Sequence, residues 1–333
     1  MRFFAILFCL LLHSIALADA ISPSDAALLP KEVVKSLRDS NRVLVREMRE
    51  FRASQAVVLL DKNGLEALDK AIALFDRYQG LGHSPEEMAA FFNEISELAI
   101  IHPTSIALDE VAGWRDLPPC KLERGDIVLA WSTDIWAEHF ANASSHDKRF
   151  SHIAVVLTGG PKAVLVETGT SDDADGETLF AKCGWEDVCG GAIDCAVFRF
   201  SGNKDVRARI GDEAEKRVGV LFDASFDLKT KKRLYCAEMV RDSVNAAVGR
   251  EVIGTSRKGD FEYVAVDDCY RNEMTKVWDC RDVKPVAESG AKQTEKRLAQ
   301  QPESSTVVVE NMSTTNAPVR RTIRFVPRNR RGR

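Results

Sequence analysis

The chain has 333 residues, 45% of them hydrophobic and 29% charged, a balance that provides enough apolar material for a sizeable core. It excludes collagen-like, wholly disordered and polytopic membrane readings. The formal net charge of −4 divides unevenly: Lys284 to Arg333 holds 11 Lys/Arg against 4 Asp/Glu, so a basic tail of +7 follows a body of −11. Such a body repels phosphates, which argues against nucleic acid as a partner.

Arg2 precedes the apolar run Phe3 to Leu12, and small residues follow at Ala16, Ala18 and Ala20. A cation, a short apolar stretch and an A-x-A pattern predict a secretory signal peptide over residues 1–20, cleaved after Ala18 or Ala20. The run is too short to span a membrane. The expected location is therefore secreted or periplasmic, where thiols oxidise. Seven cysteines remain once Cys9 is removed: Cys120, Cys183, Cys189, Cys195, Cys236, Cys269 and Cys280. An odd number leaves at least one thiol over, and the other six admit three disulfides in many connectivities. The cysteines form no C-x-x-C, and Cys183, Cys189 and Cys195 have no histidine nearby, so zinc is a weak reading. The sequence calls for no metal or organic cofactor.

Residues 21–105 read as an α-helical accessory domain. Leu37, Leu44, Phe51 and Val58 recur every seven residues and predict a long amphipathic helix, interrupted along its seam by Asn41 and Gln55. Leu65, Leu68, Ile72 and Phe75 predict a second helix, stopped by Gly80 and Gly82. Ser84, Pro85, Glu86 and Glu87 form a capping box with proline at the first helical position, opening a third helix through Met88, Phe91 and Phe92.

The period changes over residues 106–283. Gly125 and Asp126 turn into a strand at Ile127–Trp131. Ile153–Leu157 and Ala163–Val166 are apolar runs split by Gly159, Gly160 and Pro161, the mark of a hairpin buried on both faces. Ala196–Phe200 predicts a strand, Asp205–Val218 a helix, and Cys236–Val248 a helix ended by Gly249. Residues 284–333 are rich in Gln, Ser, Thr and Pro and end in seven arginines from Arg320 to Arg333; that composition predicts a disordered basic tail. The tail is expected either to reach an anionic wall or membrane surface or to be a solvated end.

The reactive side chains lie in a few short segments. Cys236 stands where loop becomes helix, and the open amides and dipole of a helix start stabilise a thiolate. The competing reading is a disulfide half or an inert thiol. His152 stands at the mouth of a buried strand, where an imidazole can take a proton from a cysteine and return it to a leaving amine. The alternative is a polar residue satisfied at a strand end. If the hairpin turns on Gly159 and Gly160, or on Thr158 to Pro161, Glu167 lies directly opposite His152 and orients its ring. Asp223, Asp227 and Tyr235 are substrate-cleft candidates, read alternatively as polar loop residues and a packing aromatic. Glu238, in the first helical turn, reads as structural. Asn142 and Asn311 are sequons that matter only where the cell glycosylates.

Taken in order, the Gly125–Asp126 strand, the Ser151–His152 strand, the Glu167 strand and the Tyr235-Cys236-x-Glu238-Met239-Val240 helix resemble the permuted papain-like amidases. These are the YiiX-like branch of the NlpC-type superfamily, and the resemblance covers roughly residues 120–250. Unpermuted relatives place the cysteine helix before the histidine strand, whereas here His152 precedes Cys236. The chain departs from its relatives in Ala237, where Ser is common, and in its extra cysteines and long helical N-terminus. The resemblance implies an α+β fold, with a permuted antiparallel sheet packed on the cysteine helix and preceded by the helical domain. It implies a Cys236 nucleophile, a His152 base and an orienting Glu167 that cleave an amide bond, with cell-wall peptides among the substrates. Two rival expectations stand beside this exported cysteine hydrolase. One is a lipid thioesterase or acyltransferase using the same thiol, and the other is a non-catalytic binding module with Cys236 in a disulfide.

Overall fold

The computed structural model describes residues 22–29, 31–79, 84–98, 121–131, 137–170, 177–190, 192–230 and 232–282. The expected signal peptide with Cys9, Cys120, and the expected disordered tail with Arg320–Arg333 lie outside these residues. No described helix is long and apolar enough to cross a membrane.

Helix α1, Lys31–Ala53, buries Val45, Met48 and Phe51. Ser54 ends it. Its hydroxyl donates to the Phe51 carbonyl at 2.8 Å and accepts the Ala56 amide at 3.1 Å, which opens a short 3-10 turn at Gln55–Leu59. The seven-residue repeat expected through Val58 therefore stops before it, and Val58 is 44% exposed. Helix α2, Lys62–Gln79, turns Leu68, Leu74, Phe75 and Tyr78 inward. Helix α3, Pro85–Leu98, begins at the capping box read from the sequence. The Glu87 amide donates to Ser84 Oγ at 3.2 Å, and the Ser84 amide donates to Glu87 Oε2 at 3.1 Å, so two open helix-end donors are satisfied reciprocally.

The elements that follow include β1 (Ile127–Trp131), α4 (Ala137–Ala143), β2 (His152–Thr158), β3 (Val164–Thr170), β4 (Thr178–Gly184), α5 (Trp185–Cys189), β5 (Asp194–Phe200), α6 (Lys204–Glu215), β6 (Leu221–Phe222), β7 (Arg233–Leu234), α7 (Cys236–Val248), β8 (Ser256–Lys258), β9 (Phe261–Tyr263) and β10 (Met274–Asp279). Eight strands form one sheet in the order β10-β5-β1-β2-β3-β4-β6-β7, and β8 pairs with β9 in a separate ribbon. Within the sheet, β6 and β7 are parallel and the other pairs antiparallel. The class is α+β.

Apolar strands bury both faces of this sheet, as their unbroken hydrophobic runs predict. Ile127, Leu129, Ile153, Val155 and Val166 belong to the larger core, which also takes Met239, Val240 and Val244 from α7 and the inward residues of α1 to α3. Val128, Ala130, Ala154, Val156 and Leu165 face a smaller core with Trp185, Val188, Cys189 and Cys195. Each fully buried Val, Leu or Ile contributes roughly 1.5–3 kcal/mol, so the central strands are the rigid frame on which His152 and Glu167 are mounted.

Gly125 has φ +88°, and a Cβ there would strike the Arg207 carbonyl, so the turn into β1 requires glycine. Asp126 next to it is fully buried and receives Arg199 Nε at 2.7 Å and the Glu123 amide at 2.7 Å, which ties the start of β1 to β5. The hairpin differs from its expected register. Val155 pairs with Val166 and Val156 with Leu165, and a bulge follows before Thr158 pairs with Val164. The connection is two residues out of the expected alignment, so Glu167 lies diagonal to His152 and not opposite it. Because the slip is even, both side chains keep the same face.

Among the described residues no disulfide forms, and Cys183, Cys189, Cys195, Cys236, Cys269 and Cys280 are thiols. Cys269 is held in the larger core with its sulfur 3.5 Å from the Ala237 carbonyl, while Cys183, Cys189, Cys195 and Cys280 line the smaller one.

Candidate active site

Cys236 is the first residue of the 13-residue helix α7, and its thiol is partly exposed. Tyr235 precedes it in extended conformation and supplies no side-chain cap; its carbonyl accepts the first helical bond, from the Met239 amide at 2.9 Å. The amides of Cys236, Ala237 and Glu238 therefore have no partner within the helix, which is the geometry that favours negative charge at this end. Gly249, with φ 80°, closes the other end as the sequence predicts.

The approach to this helix is rigid. The Tyr235 ring is 1% exposed and lies 4.6 Å from the ring of Phe226, centroid to centroid, and its hydroxyl accepts the Val264 amide at 2.6 Å. Phe226 holds a left-handed φ of 55°, uncommon for a bulky residue. It is kept there by edge contact with Phe51 of α1 and by Phe140 of α4. Asp223 is fully buried and accepts the Ser225 amide at 2.9 Å, Ser225 Oγ at 2.5 Å, the Asp227 amide at 3.1 Å and Thr230 Oγ1 at 2.9 Å. Asp227 accepts the Lys229 amide at 3.0 Å. The structure thus corrects the cleft assignment of Tyr235 and Asp223, because burial removes both from contact with a substrate. Together with Asp227 they shape the loop that delivers Cys236.

His152 opens β2 opposite Ala130 of β1. Its Nε2 lies 2.8 Å from Glu167 Oε2, with the two side chains 17% and 13% exposed. A diagonal pair on one sheet face is within reach of long side chains, so the shifted register still joins them. The Cys236 side chain is the ring's other polar neighbour. With Nε2 directed at the carboxylate, Nδ1 is the nitrogen left for the sulfur. Burial disfavours the charged ring, yet the hydrogen bonds and charges of Cys236 and Glu167 outweigh it and hold His152 well above its ordinary range. The three residues singled out from the sequence are therefore brought together.

Glu238 is 1% exposed, its Oε2 has no hydrogen-bond partner, and Arg241 stands 3.9 Å from its Oε1. Burial, reinforced by Asp242, pushes its carboxyl up to about 8. The Tyr235 backbone and Arg241 pull the other way without cancelling that rise.

No family model matches this chain, and no curated protein matches it. One solved structure is similar. It is the metalloprotein YiiX of Escherichia coli O157:H7, at 16% identity with a TM-score of 0.38, covering 46% of this chain and 96% of that one. The site described above rests on its own geometry and takes nothing from that likeness.

Sequence reasoning missed Arg149, whose partners are remote in the chain. Its guanidinium binds Asp194 through Nε at 2.8 Å and one terminal nitrogen at 2.6 Å, and Asp279 through its two terminal nitrogens at 2.7 and 2.5 Å. Both carboxylates are almost fully buried. Arg281 also binds Asp194, and Lys276 lies 2.9 Å from Asp279. The knot pins the entry of β2, just ahead of His152, to β5 and β10. Asp194, Asp279 and Cys280 bring ligand atoms within 4.8 Å of one another. Their carboxylates already hold these cations, which makes the group an ion-pair network and a poor fit for a metal ion.

Proposed function

We propose that this chain is an exported cysteine hydrolase that cleaves an amide bond through an acyl-enzyme on Cys236. The observation that carries the reading is the His152 ring, hydrogen-bonded to Glu167 and with the Cys236 side chain as its other polar neighbour. In this reading His152 takes the thiol proton and Glu167 holds the ring in orientation and stabilises its charge. The thiolate attacks the carbonyl carbon, and the open amides at the start of α7 receive the developing oxyanion. His152 then protonates the leaving amine, and water, activated by the same ring, releases the acyl group as a carboxylic acid and restores the thiol. The leader supports export, and wall peptides are the first substrates to try.

A panel of peptide amides, wall fragments, lipid amides and acyl thioesters tests the proposal with wild type, Cys236→Ser and His152→Ala. Amide cleavage that both substitutions abolish supports it. Turnover confined to thioesters, or amide cleavage that survives Cys236→Ser, overturns it.

A further inference from the structure

The smaller core on the sheet's second face holds Cys183, Cys189, Cys195 and Cys280. Cys189 ends α5 and Cys195 is the second residue of β5. The chain between them reverses at Gly190, whose amide bonds the Glu186 carbonyl at 2.9 Å and where a Cβ would collide with that same carbonyl. The Ala192 amide returns to the Cys189 carbonyl at 3.1 Å and tightens the turn. The two sulfurs end 3.2 Å apart, and both residues are fully buried. A disulfide has its sulfurs at ~2.05 Å, and modest side-chain rotation closes the difference.

The neighbouring thiols are directed elsewhere. Cys280 Sγ lies 3.1 Å from Asp194 Oδ1 and accepts the Cys195 amide at 3.3 Å, and burial pushes its thiol up to about 12. Cys183 Sγ faces the Leu165 carbonyl at 3.9 Å. Cys269 belongs to the other core. We propose that Cys189 and Cys195 form a disulfide when the chain folds in an oxidising compartment, while Cys183, Cys269 and Cys280 remain thiols and Cys236 stays free to react. The proposal stands apart from the amide-hydrolase reading, since its two sulfurs take no part in that reaction and it needs no substrate.

The oxidant is a small-molecule disulfide such as oxidised glutathione. One cysteine thiolate attacks it, a protein–glutathione disulfide forms, and one glutathione thiolate leaves. The second cysteine gives its proton to water, attacks the protein sulfur of that mixed disulfide and displaces the other glutathione thiolate. Two protein thiols are oxidised and one small disulfide is reduced to two thiols. Burial holds both Cys189 and Cys195 above the ordinary thiol range, with Cys195 raised further by its neighbour, so exchange is slow in the folded protein and the bond is made during folding.

The test refolds the full, reduced chain in a glutathione redox buffer, blocks free thiols with iodoacetamide in denaturant, and digests without reductant. The tryptic peptide Cys183–Arg199 contains Cys183, Cys189 and Cys195. The expected product carries one alkyl group, on Cys183, and is lighter by two hydrogens from an internal link. Cys189→Ser refolded in the same way should leave Cys195 alkylated. Protein exported by a host into an oxidising compartment, and blocked there in denaturant, gives the same readout without refolding. Three alkyl groups on the wild-type peptide, or a link from Cys195 to Cys280, overturns the proposal.

Discussion

Replacing Glu167 with glutamine keeps the size of the side chain and an oxygen facing His152, but removes the charge. The hydrogen bond it weakens is 2.8 Å long between two side chains that are each less than one-fifth exposed. Hydrogen bonds to charged groups contribute about 1.5–3 kcal/mol, and about 1.4 kcal/mol corresponds to tenfold. The thiolate–imidazolium pair should therefore become roughly 10- to 150-fold less populated on the acidic limb of its profile. Thiolates with weaker stabilisation are more nucleophilic, which recovers a little under half of that on a logarithmic scale, so alkylation should slow by roughly 4- to 15-fold. The assay is the second-order rate of iodoacetamide labelling of Cys236 in the native chain, read from its peptide, for wild type and Glu167→Gln. A rate unchanged within about twofold, in a variant that unfolds at the wild-type denaturant midpoint, would refute the orienting role of Glu167.

Three further outcomes follow from the same contacts. Glu238 has a folded pKa of about 8 against an ordinary value near 4.3, so the folded state holds a proton that the unfolded state has lost. Stability should then fall as pH rises between these values, by on the order of 4 kcal/mol; urea titrations of Glu238→Gln should lack that slope, and an identical slope in the variant contradicts the assignment. Arg149→Met leaves Asp194 and Asp279 buried with fewer cations, which should cost about 3–5 kcal/mol in urea unfolding, and a loss below about 1 kcal/mol would mean that the knot is not a structural anchor. The Cys189–Cys195 link closes a loop of seven residues, worth about 2 kcal/mol by chain entropy. The oxidised protein should melt several degrees above the reduced one, and equal melting temperatures contradict that gain.

The sequence signals that held are local ones. The Ser84–Glu87 box, the Gly249 cap and the helix that starts at Cys236 are set by residues within a turn of one another, and the apolar runs of β1 and β2 mark a sheet buried on both faces. The meeting of His152 and Glu167 was legible through strand periodicity, because an even slip preserves the face even where the bulge after Val156 alters the partner. Strands β4 and β8 to β10 carry mixed polar patterns with no clean period and went unseen. The burial of Asp223 depends on a loop folding back on its own carboxylate. The Arg149 knot joins residues 45 and 130 positions apart, and no local pattern announces such a contact. Val58 shows the opposite failure, a regular repeat broken by one serine that starts a new turn.

In the proposed reaction Cys236 attacks carbonyl carbon with help from His152. Its most direct test is acetyl transfer from p-nitrophenyl acetate to the native chain, quenched in acid and mapped by peptide mass. An acetyl group is expected on Cys236 in wild type, formed at least about a hundredfold more slowly in His152→Ala. Acetylation of Cys236 at the same rate in both proteins would contradict it.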